Sequence, residues 1–272
     1  MRALDYPYKV WGFGEGMALL GLVRAGERLD RPEWIDAVAD LVGPSLHRAA
    51  DPTDHLIPVD VLTALGRHGL DVAPAVARFG AAVPGAADLV HRPDLDGLSS
   101  MVWVDCMHTD GPGLPPDAAV PAIEAAARVF TDGSGLFSHG YDAATGRANG
   151  VHWGRGQGWA LHGLLAVASP RVAALLAALE RHERDGSWGT IVDDPAAPVE
   201  HSVSALVAAG VPGTPLGRRA LDAALAALDG DGGLPVSSAT PVGGPDTYLT
   251  RPAGVFPWGQ GPLLLALLEA DR

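Results

Sequence analysis

One pattern recurs along the whole chain at intervals of about 50 residues, a period typical of repeated supersecondary units. Each copy is a run of small and apolar residues, and one amphipathic helical pattern lies between consecutive copies. The copies begin at Val10, His55, Met101, His152, Val199 and Phe256. Each unit is therefore predicted to be a helical hairpin, in which a small-residue helix is followed by an amphipathic one.

Six hairpins closed into a ring predict an all-α fold, the (α/α)6 barrel, formed by residues 1–272 as a single domain. The small-residue helices would form the buried inner ring, and the amphipathic helices would face solvent. The inner helices are expected to start at one end of the barrel, near Gly14, Pro58, Asp105, Gln157, Ser202 and Gln260. The alternative is an irregular helical domain with accidental spacing. Three copies share Trp-Gly-x-Gly, at Trp11, Trp153 and Trp258, which favours the repeat.

The first inner helix follows almost directly on Met1, so the first outer helix is expected to be absent. The barrel is then either open at that seam or closed by a partner subunit. A homo-oligomer is thus one of two alternatives.

Composition narrows the classes of partner. The net charge of −13 argues against nucleic acid and against anionic membrane surfaces. No apolar run approaches the ~18 residues of a membrane span, and the start lacks the apolar core of a signal peptide. The single cysteine, Cys106, rules out an internal disulfide and a cysteine zinc cage, so a cytoplasmic protein is expected. The histidines lack zinc-site spacing and no dinucleotide or phosphate motif occurs, so no metal and no cofactor are predicted.

Tryptophans precede several of the predicted inner helices, among them Trp103, Trp153 and Trp258, with Trp159 just inside one. An indole offers a broad apolar face and one N–H donor, which suits stacking on a sugar ring. The alternative is that these side chains fill the barrel end as core. As a set at one end of a barrel, they predict a carbohydrate site.

The segment HWGRGQGW places Arg155 between two of these tryptophans. A guanidinium can hold a carboxylate through two hydrogen bonds, so Arg155 is a candidate anion hook in an acidic chain. The alternative is a structural ion pair. Gln157 adds a neutral donor and acceptor two residues further on.

Two aspartates are candidates for acid chemistry. Asp105 lies in the apolar stretch MVWVDCM beside Trp103, a setting that favours the neutral form of a carboxylic acid. Asp54, in DPTDHLIPVD, likewise stands just ahead of a predicted inner helix. For both residues the alternative is a helix N-cap, a position that aspartate favours.

Four segments, VWVDCM, GLFSHGYDAATG, HWGRGQGW and FPWGQGPLLLALL, resemble in this order the signatures of the unsaturated uronyl hydrolases. These enzymes form glycoside hydrolase families 88 and 105, and the resemblance is closer to family 105. It runs from about Trp11 to the C-terminus, with WGRGQGW the most specific part. It implies the (α/α)6 barrel.

The resemblance also implies an activity: removal of a 4,5-unsaturated uronic acid from the non-reducing end of small anionic oligosaccharides. An aspartic acid protonates C4, water adds at C5, and the hemiketal opens and releases the sugar. By this resemblance Asp105 is the acid, and Asp54, or Asp60 in an alternative alignment, is the second aspartate. The expected substrate-binding residues are His139, Trp103, Trp153, Arg155, Gln157, Trp159 and Trp258.

Two other functions stay open at this point. A sugar-binding descendant without activity would keep the tryptophans and lose turnover. Another enzyme of the α/α toroid type, such as a sugar 2-epimerase, would need a pair of catalytic histidines acting on a ring-opened sugar. The sequence alone does not assign such a pair.

Overall fold

The computed structural model describes residues 12, 14–83 and 96–270, so Trp11 lies outside the described residues. Six helices of the described part correspond to the predicted inner ring: α1 Glu15–Arg28, α3 Val59–Arg67, α5 Cys106–Thr109, α7 Gly154–Ala166, α9 His201–Gly210 and α12 Pro257–Ala270. The amphipathic helices between them are α2 Pro32–Leu46, α4 Ala73–Ala82, α6 Pro116–Phe130, α8 Arg171–His182 and α10 Pro215–Ala226. A short helix, α11 Pro245–Leu249, precedes α12.

The inner helices pack side by side in a ring. α12 lies between α1 and α9, α9 packs on α7, α7 packs on α5, and α3 packs on the other side of α1. Each amphipathic helix packs on the inner helix that precedes it. The (α/α)6 barrel predicted from the repeat is therefore confirmed, and four of the six helix starts are within one residue of the prediction.

The other two inner helices, α7 and α12, begin three residues earlier than expected. Gly154, Gly156 and Gly259 therefore lie inside the helices and not before them, and a side chain at any of these positions would meet a neighbouring segment. A Cβ atom on Gly154 would approach the carbonyl oxygen of Gly189 to 2.4 Å. Packing thus overrides the low helix propensity of glycine.

The third inner helix is a single turn. α5 has four residues and continues as a 3-10 turn, Gly111–Gly113, whereas the other five inner helices have 9 to 14 residues. The ring is completed at this place by the 3-10 turn, since Gly113 lies directly against Val59 and Phe79.

Short antiparallel strands connect the helices at the end where the inner helices begin. β1 Met101–Trp103, β2 Gly140–Asp142 and β3 Arg147–Ala148 form one sheet in that order. β4 Pro235–Ser237 pairs with β5 Ala253–Val255, with Ser237 opposite Ala253. These strands carry the residues around the candidate site.

The predicted absence of an outer helix before α1 concerns residues 1–13, of which all but Gly12 lie outside the described residues. The described part of the chain contains no helix with the length and apolar character needed to span a bilayer.

Candidate active site

The first sheet brings Trp103 and His139 together. Trp103 is opposite Gly140 in the pairing of β1 and β2, and the amide of Val104 donates to the carbonyl oxygen of His139 at 2.8 Å. The rings of Trp103 and His139 meet edge to face with centroids 5.6 Å apart. Trp153 packs on His139 with a centroid distance of 4.2 Å. Trp103, Trp153 and His139, all predicted to bind substrate, thus form one cluster.

Asp105 joins this cluster through its side chain. It occupies the N-cap position of α5, yet its carboxylate makes no capping hydrogen bond. The Oδ2 atom lies 3.2 Å from Nε2 of His139, without the alignment of a full hydrogen bond, and the side chain is 9% exposed. The carboxyl group is therefore held beside an imidazole and is not used to stabilise the helix.

The hydrogen bonds of Tyr248 determine which nitrogen of His139 carries the proton. The hydroxyl of Tyr248 accepts from the side-chain amide of Asn149 at 2.9 Å and from the amide of Gly243 at 3.2 Å. With both lone pairs occupied, its own hydrogen is donated to Nδ1 of His139 at 2.9 Å. His139 is therefore protonated on Nε2, the nitrogen that lies 3.2 Å from Oδ2 of Asp105.

Burial raises the pKa of Tyr248 to about 12, an effect that the hydrogen bonds from Gly243 and Asn149 oppose. The phenol therefore keeps its proton across the physiological range. The hydroxyl of Tyr248 therefore remains a hydrogen-bond donor to Nδ1 of His139 throughout this range.

Arg155 is buried in the wall behind the tryptophans. Its Nη1 lies 3.4 Å from Oε1 of Glu200, and both terminal nitrogens donate to the segment around β4, for example to the carbonyl oxygens of Ser237 at 3.0 Å and Ser238 at 2.9 Å. Burial lowers the pKa of Arg155, and the charge of Glu200 opposes this. The structure thus gives Arg155 the structural ion pair named above as the alternative, and does not bring its terminal nitrogens to an open carboxylate site.

Gln157 is likewise fully engaged within the protein. Its Oε1 accepts from the amide of Phe137 at 2.9 Å, and its Nε2 donates to the carbonyl oxygens of Phe137 at 2.8 Å and Trp153 at 3.0 Å. It fixes the turn before His139 to the start of α7. The structure therefore shows Gln157 in contact with the backbone beside His139, and its predicted contact with a substrate stays a prediction.

The remaining predicted tryptophans lie on two different sides. Trp258 is partly exposed, donates to the carbonyl oxygen of Ser237 at 2.9 Å and lies over the Arg155 guanidinium at 5.3 Å. Trp159 is buried and stacks on His108 at 5.0 Å, deeper in the barrel. Trp258 therefore borders the Asp105 cluster, whereas Trp159 is part of the core beneath it.

Asp54 is not part of the cluster. Its carboxylate is bound by Arg48 and by Nε of Arg78 at 3.2 Å, and it accepts from the amide of Asp51 in a capping box. These partners belong to the 3-10 turn Pro52–Leu56 and to the outer layer. The geometry corresponds to the capping alternative and does not support the catalytic role predicted for Asp54.

Asp60, the alternative to Asp54, lies on α3 and lines a cavity in the barrel interior that is separate from the cluster. Partial burial raises its pKa, and the charge of Arg24 opposes the rise. The structure therefore brings neither Asp54 nor Asp60 to Asp105.

Sequence reasoning did not identify four residues that organise the site: Glu200, Ser237, Asn149 and Tyr248. Glu200 had a signal, because it stands ahead of an inner helix as Asp105 does, and it caps α9. Tyr248 and Asn149 had none, since they are far apart in the chain and meet only through the fold. Among the described residues, no group of three His, Cys, Asp or Glu side chains is arranged to hold a metal ion.

The profile of Glycosyl Hydrolase Family 88 matches residues 116–272, more than half of the chain. No curated protein matches the sequence of this chain. A solved structure of a possible member of the GH105 family from Salmonella enterica is 19% identical, with a TM-score of 0.79, over 95% of this chain and 82% of that one.

Two further structures share the fold. A possible GH105 member from Klebsiella pneumoniae is 20% identical, with a TM-score of 0.77, over 95% of this chain and 82% of that one. The unsaturated glucuronyl hydrolase of Bacillus sp. GL1, responsible for the degradation of glycosaminoglycan, is 15% identical, with a TM-score of 0.72, over 96% and 86% of the two chains. Similarity at these identities supports the barrel fold independently of the repeat.

Proposed function

Because the chain belongs to Glycosyl Hydrolase Family 88, we propose that this glycoside hydrolase removes a 4,5-unsaturated uronic acid from the non-reducing end of small oligosaccharides. The observation that carries the proposal is the contact between Asp105 and His139 inside a cluster of tryptophans. It supplies one carboxylic acid, one imidazole and apolar ring faces at the end of the barrel where the inner helices begin.

Asp105 is the proton donor in this reaction. Because the protonated Nε2 of His139 lies beside Oδ2, we assign the transferred proton to the other carboxyl oxygen, Oδ1. Oδ1 delivers the proton to C4 of the vinyl ether, and positive charge develops at C5 and the ring oxygen. The Asp105 carboxylate that is left is stabilised by the N–H of His139.

Water then adds at C5 and returns its proton to the Asp105 carboxylate. The product is a hemiketal at C5, which opens by breaking the bond from C5 to the ring oxygen. The hemiacetal that results at C1 releases the leaving sugar as an alcohol. The acid is regenerated within the cycle, so one carboxyl group serves as donor and acceptor.

The tryptophans and a second arginine would meet the rest of the substrate. Trp103 and Trp258 are partly exposed and offer faces for stacking. Arg155 is already paired with Glu200, so we assign the uronate carboxylate to Arg251. Arg251 is partly exposed and close enough to Arg155 to lower its pKa. The inner helices pack into one ring around a common interior, which supports treating residues 1–272 as one catalytic domain.

The two alternatives are not favoured. Membership of a glycoside hydrolase family favours turnover over a binding descendant, and the Asp105–His139 pair preserves an acid in the cluster. The same membership favours hydrolysis over the reaction of a sugar 2-epimerase.

The test follows the ultraviolet absorbance of the conjugated uronate, which hydration abolishes, with disaccharides produced by polysaccharide lyases. We expect Asp105→Asn to lose at least ~10²–10⁴-fold in kcat, the usual contribution of general acid–base catalysis, with little change in substrate affinity. The matched control is Asp36→Asn, on the exposed face of α2. Near-normal loss of absorbance with Asp105→Asn would remove the proposed acid. No consumption of any unsaturated uronide by the wild type would overturn the function.

A further inference from the structure

A cavity of about 480 Å³ lies inside the inner ring. Every inner helix contributes to its wall, through Met17, Asp60, His108, His162, Gly210 and Glu269 among others. None of Trp103, Asp105, His139 and Trp258 lines it. The cavity is therefore distinct from the candidate active site.

The shortness of α5, the third inner helix, explains why the interior of the ring contains a cavity beside it. α5 ends at Thr109, and the 3-10 turn Gly111–Gly113 then leads the chain outward to α6. The other inner helices continue for at least another turn, so their side chains face a space that α5 does not fill. Such a cavity is within the range of small-molecule sites, ~300–1,000 Å³.

Trp159 forms the partition between this cavity and the Asp105 cluster. It belongs to one buried apolar cluster with Trp153, Met17 and Leu265, and the last two also line the cavity. His108 stacks face to face on Trp159, with centroids 5.0 Å apart and planes inclined by 13°. A ligand that contacts His108 therefore alters the surroundings of an indole.

Two uncharged imidazoles provide the polar surface of the cavity. Burial lowers the pKa of His108 to about 3 and also lowers the pKa of His162, so both rings are neutral near pH 7. Nε2 of His162 donates to the carbonyl oxygen of Leu206 at 2.9 Å, which leaves Nδ1 as an acceptor. Within the part of the chain that the structure describes, His108 has no hydrogen-bond partner for either nitrogen.

The balance of charges indicates the class of ligand. Asp60 and Glu269 contribute two carboxyl groups to the wall, and Arg24 is the guanidinium beside them. Among the described lining residues there is thus no excess of cations, which disfavours an anion such as a uronate and suits an uncharged molecule rich in O–H donors.

We propose that the cavity is a second binding site, which takes an uncharged polyhydroxylated molecule of about one sugar ring. His162 and Asp60 accept hydrogen bonds from its hydroxyl groups, and the apolar wall packs on its ring. The proposal does not depend on the reaction at Asp105, because its test measures binding and not turnover.

The experiment titrates the wild type with L-rhamnose, D-galactose and D-glucose, with D-glucuronate as the charged probe, by calorimetry and tryptophan fluorescence. We expect a neutral sugar to bind with a change in fluorescence, and glucuronate to bind at least tenfold more weakly. His162→Leu should weaken the binding at least tenfold, because it removes an acceptor, whereas His47→Leu, at an exposed position after α2, should not. Ala209→Leu places a larger side chain in the wall of the same cavity and should also weaken the binding. It replaces His162→Leu in the test if that variant does not fold.

A second control separates the two sites. Trp258→Ala alters the face beside Asp105 and should leave the binding of neutral sugars intact. Binding lost in Trp258→Ala but kept in His162→Leu and Ala209→Leu would assign it to the active site and overturn the proposal. So would the absence of binding at ~50 mM of every neutral sugar, or equal binding of glucuronate.

Discussion

Two buried aspartates, Asp105 and Asp54, show how the same residue type acquires different roles. Asp54 accepts hydrogen bonds from the backbone and from two arginines, so its carboxylate is fully committed to local structure. Asp105 sits at a helix start without capping it and faces His139. The partners of a carboxyl group, more than its position before a helix, determine whether it is available for chemistry.

Tyr248 is predicted to act through His139. Tyr248→Phe removes the hydroxyl that donates to Nδ1 of His139, so the imidazole is free to move its proton to Nδ1 and turn a lone pair toward Asp105. Loss of one buried hydrogen bond is worth ~1 kcal/mol, so we expect kcat to fall about fivefold to tenfold, with KM little changed. Nitrogen NMR of the imidazole should show a mixture of tautomers in the variant and one tautomer in the wild type.

The control for this change is Tyr141→Phe, which removes a phenol from β2, away from His139 Nδ1. An unchanged tautomer in Tyr248→Phe would contradict the positioning role, even if activity fell. Equal losses of kcat in both variants would show that the effect is structural.

Residues close in the chain were predictable, and residues joined by the fold were not. Trp103 and Asp105 are two positions apart, and Trp153 follows the same pattern in another repeat, so local sequence identified them. The ion pair of Arg155 with Glu200 spans 45 positions, and the contact of His139 with Tyr248 spans 109. No local pattern specifies such pairs, which is why the sequence left Arg155 open between a substrate ligand and a structural ion pair.

At the scale of helices, glycines allow the inner ring to close. A Cβ atom on Gly261 of α12 would lie 2.4 Å from the backbone nitrogen of Ala18 on α1. One on Gly163 of α7 would lie 2.2 Å from the carbonyl oxygen of Met107. The sequence predicted this close packing from the abundance of small residues, but the lengths of the helices, above all of α5, depend on where the chain must turn outward.

Gly261→Ala is therefore expected to destabilise the barrel. The added methyl group meets backbone atoms, so α1 and α12 must separate, at a cost of ~1–3 kcal/mol in the free energy of unfolding. Gly80→Ala, in α4, meets no atom within 4 Å and should raise stability by ~0.5–1 kcal/mol, as alanine does in a helix. Urea denaturation of both variants provides the measurement, and a gain in stability for Gly261→Ala would contradict the packing argument.

At the scale of the whole molecule, buried neutral histidines make the fold sensitive to acid. Burial lowers the pKa of His108 from its usual 6.5 to about 3. Below pH 6.5 this histidine binds a proton in the unfolded chain but not in the folded chain. Its contribution to the free energy of unfolding, which is present above pH 6.5, is therefore lost as the pH falls toward 3.

The expected contribution of His108 is a loss of about 2 kcal/mol in the free energy of unfolding between pH 7.5 and pH 5.0. His108→Gln keeps a neutral polar side chain that does not titrate in this range. Between pH 7.5 and pH 5.0, the free energy of unfolding of this variant should therefore fall by about 2 kcal/mol less than that of the wild type. Denaturant titrations at the two pH values compare the wild type with His108→Gln and with His47→Gln, an exposed control. Parallel pH dependence in all three proteins would refute the assignment.

The side-by-side packing of α1 and α12 has a consequence for synthesis on the ribosome. The first and last described helices are direct neighbours, so the ring closes only after α12 has left the exit tunnel. Until then the surface of α1 that receives Gly261 and Leu264 faces water or a chaperone. A nascent chain arrested after α10 thus carries most of the helices of the barrel but exposes an apolar seam, and the emergence of α12 from the ribosome is the event that removes it.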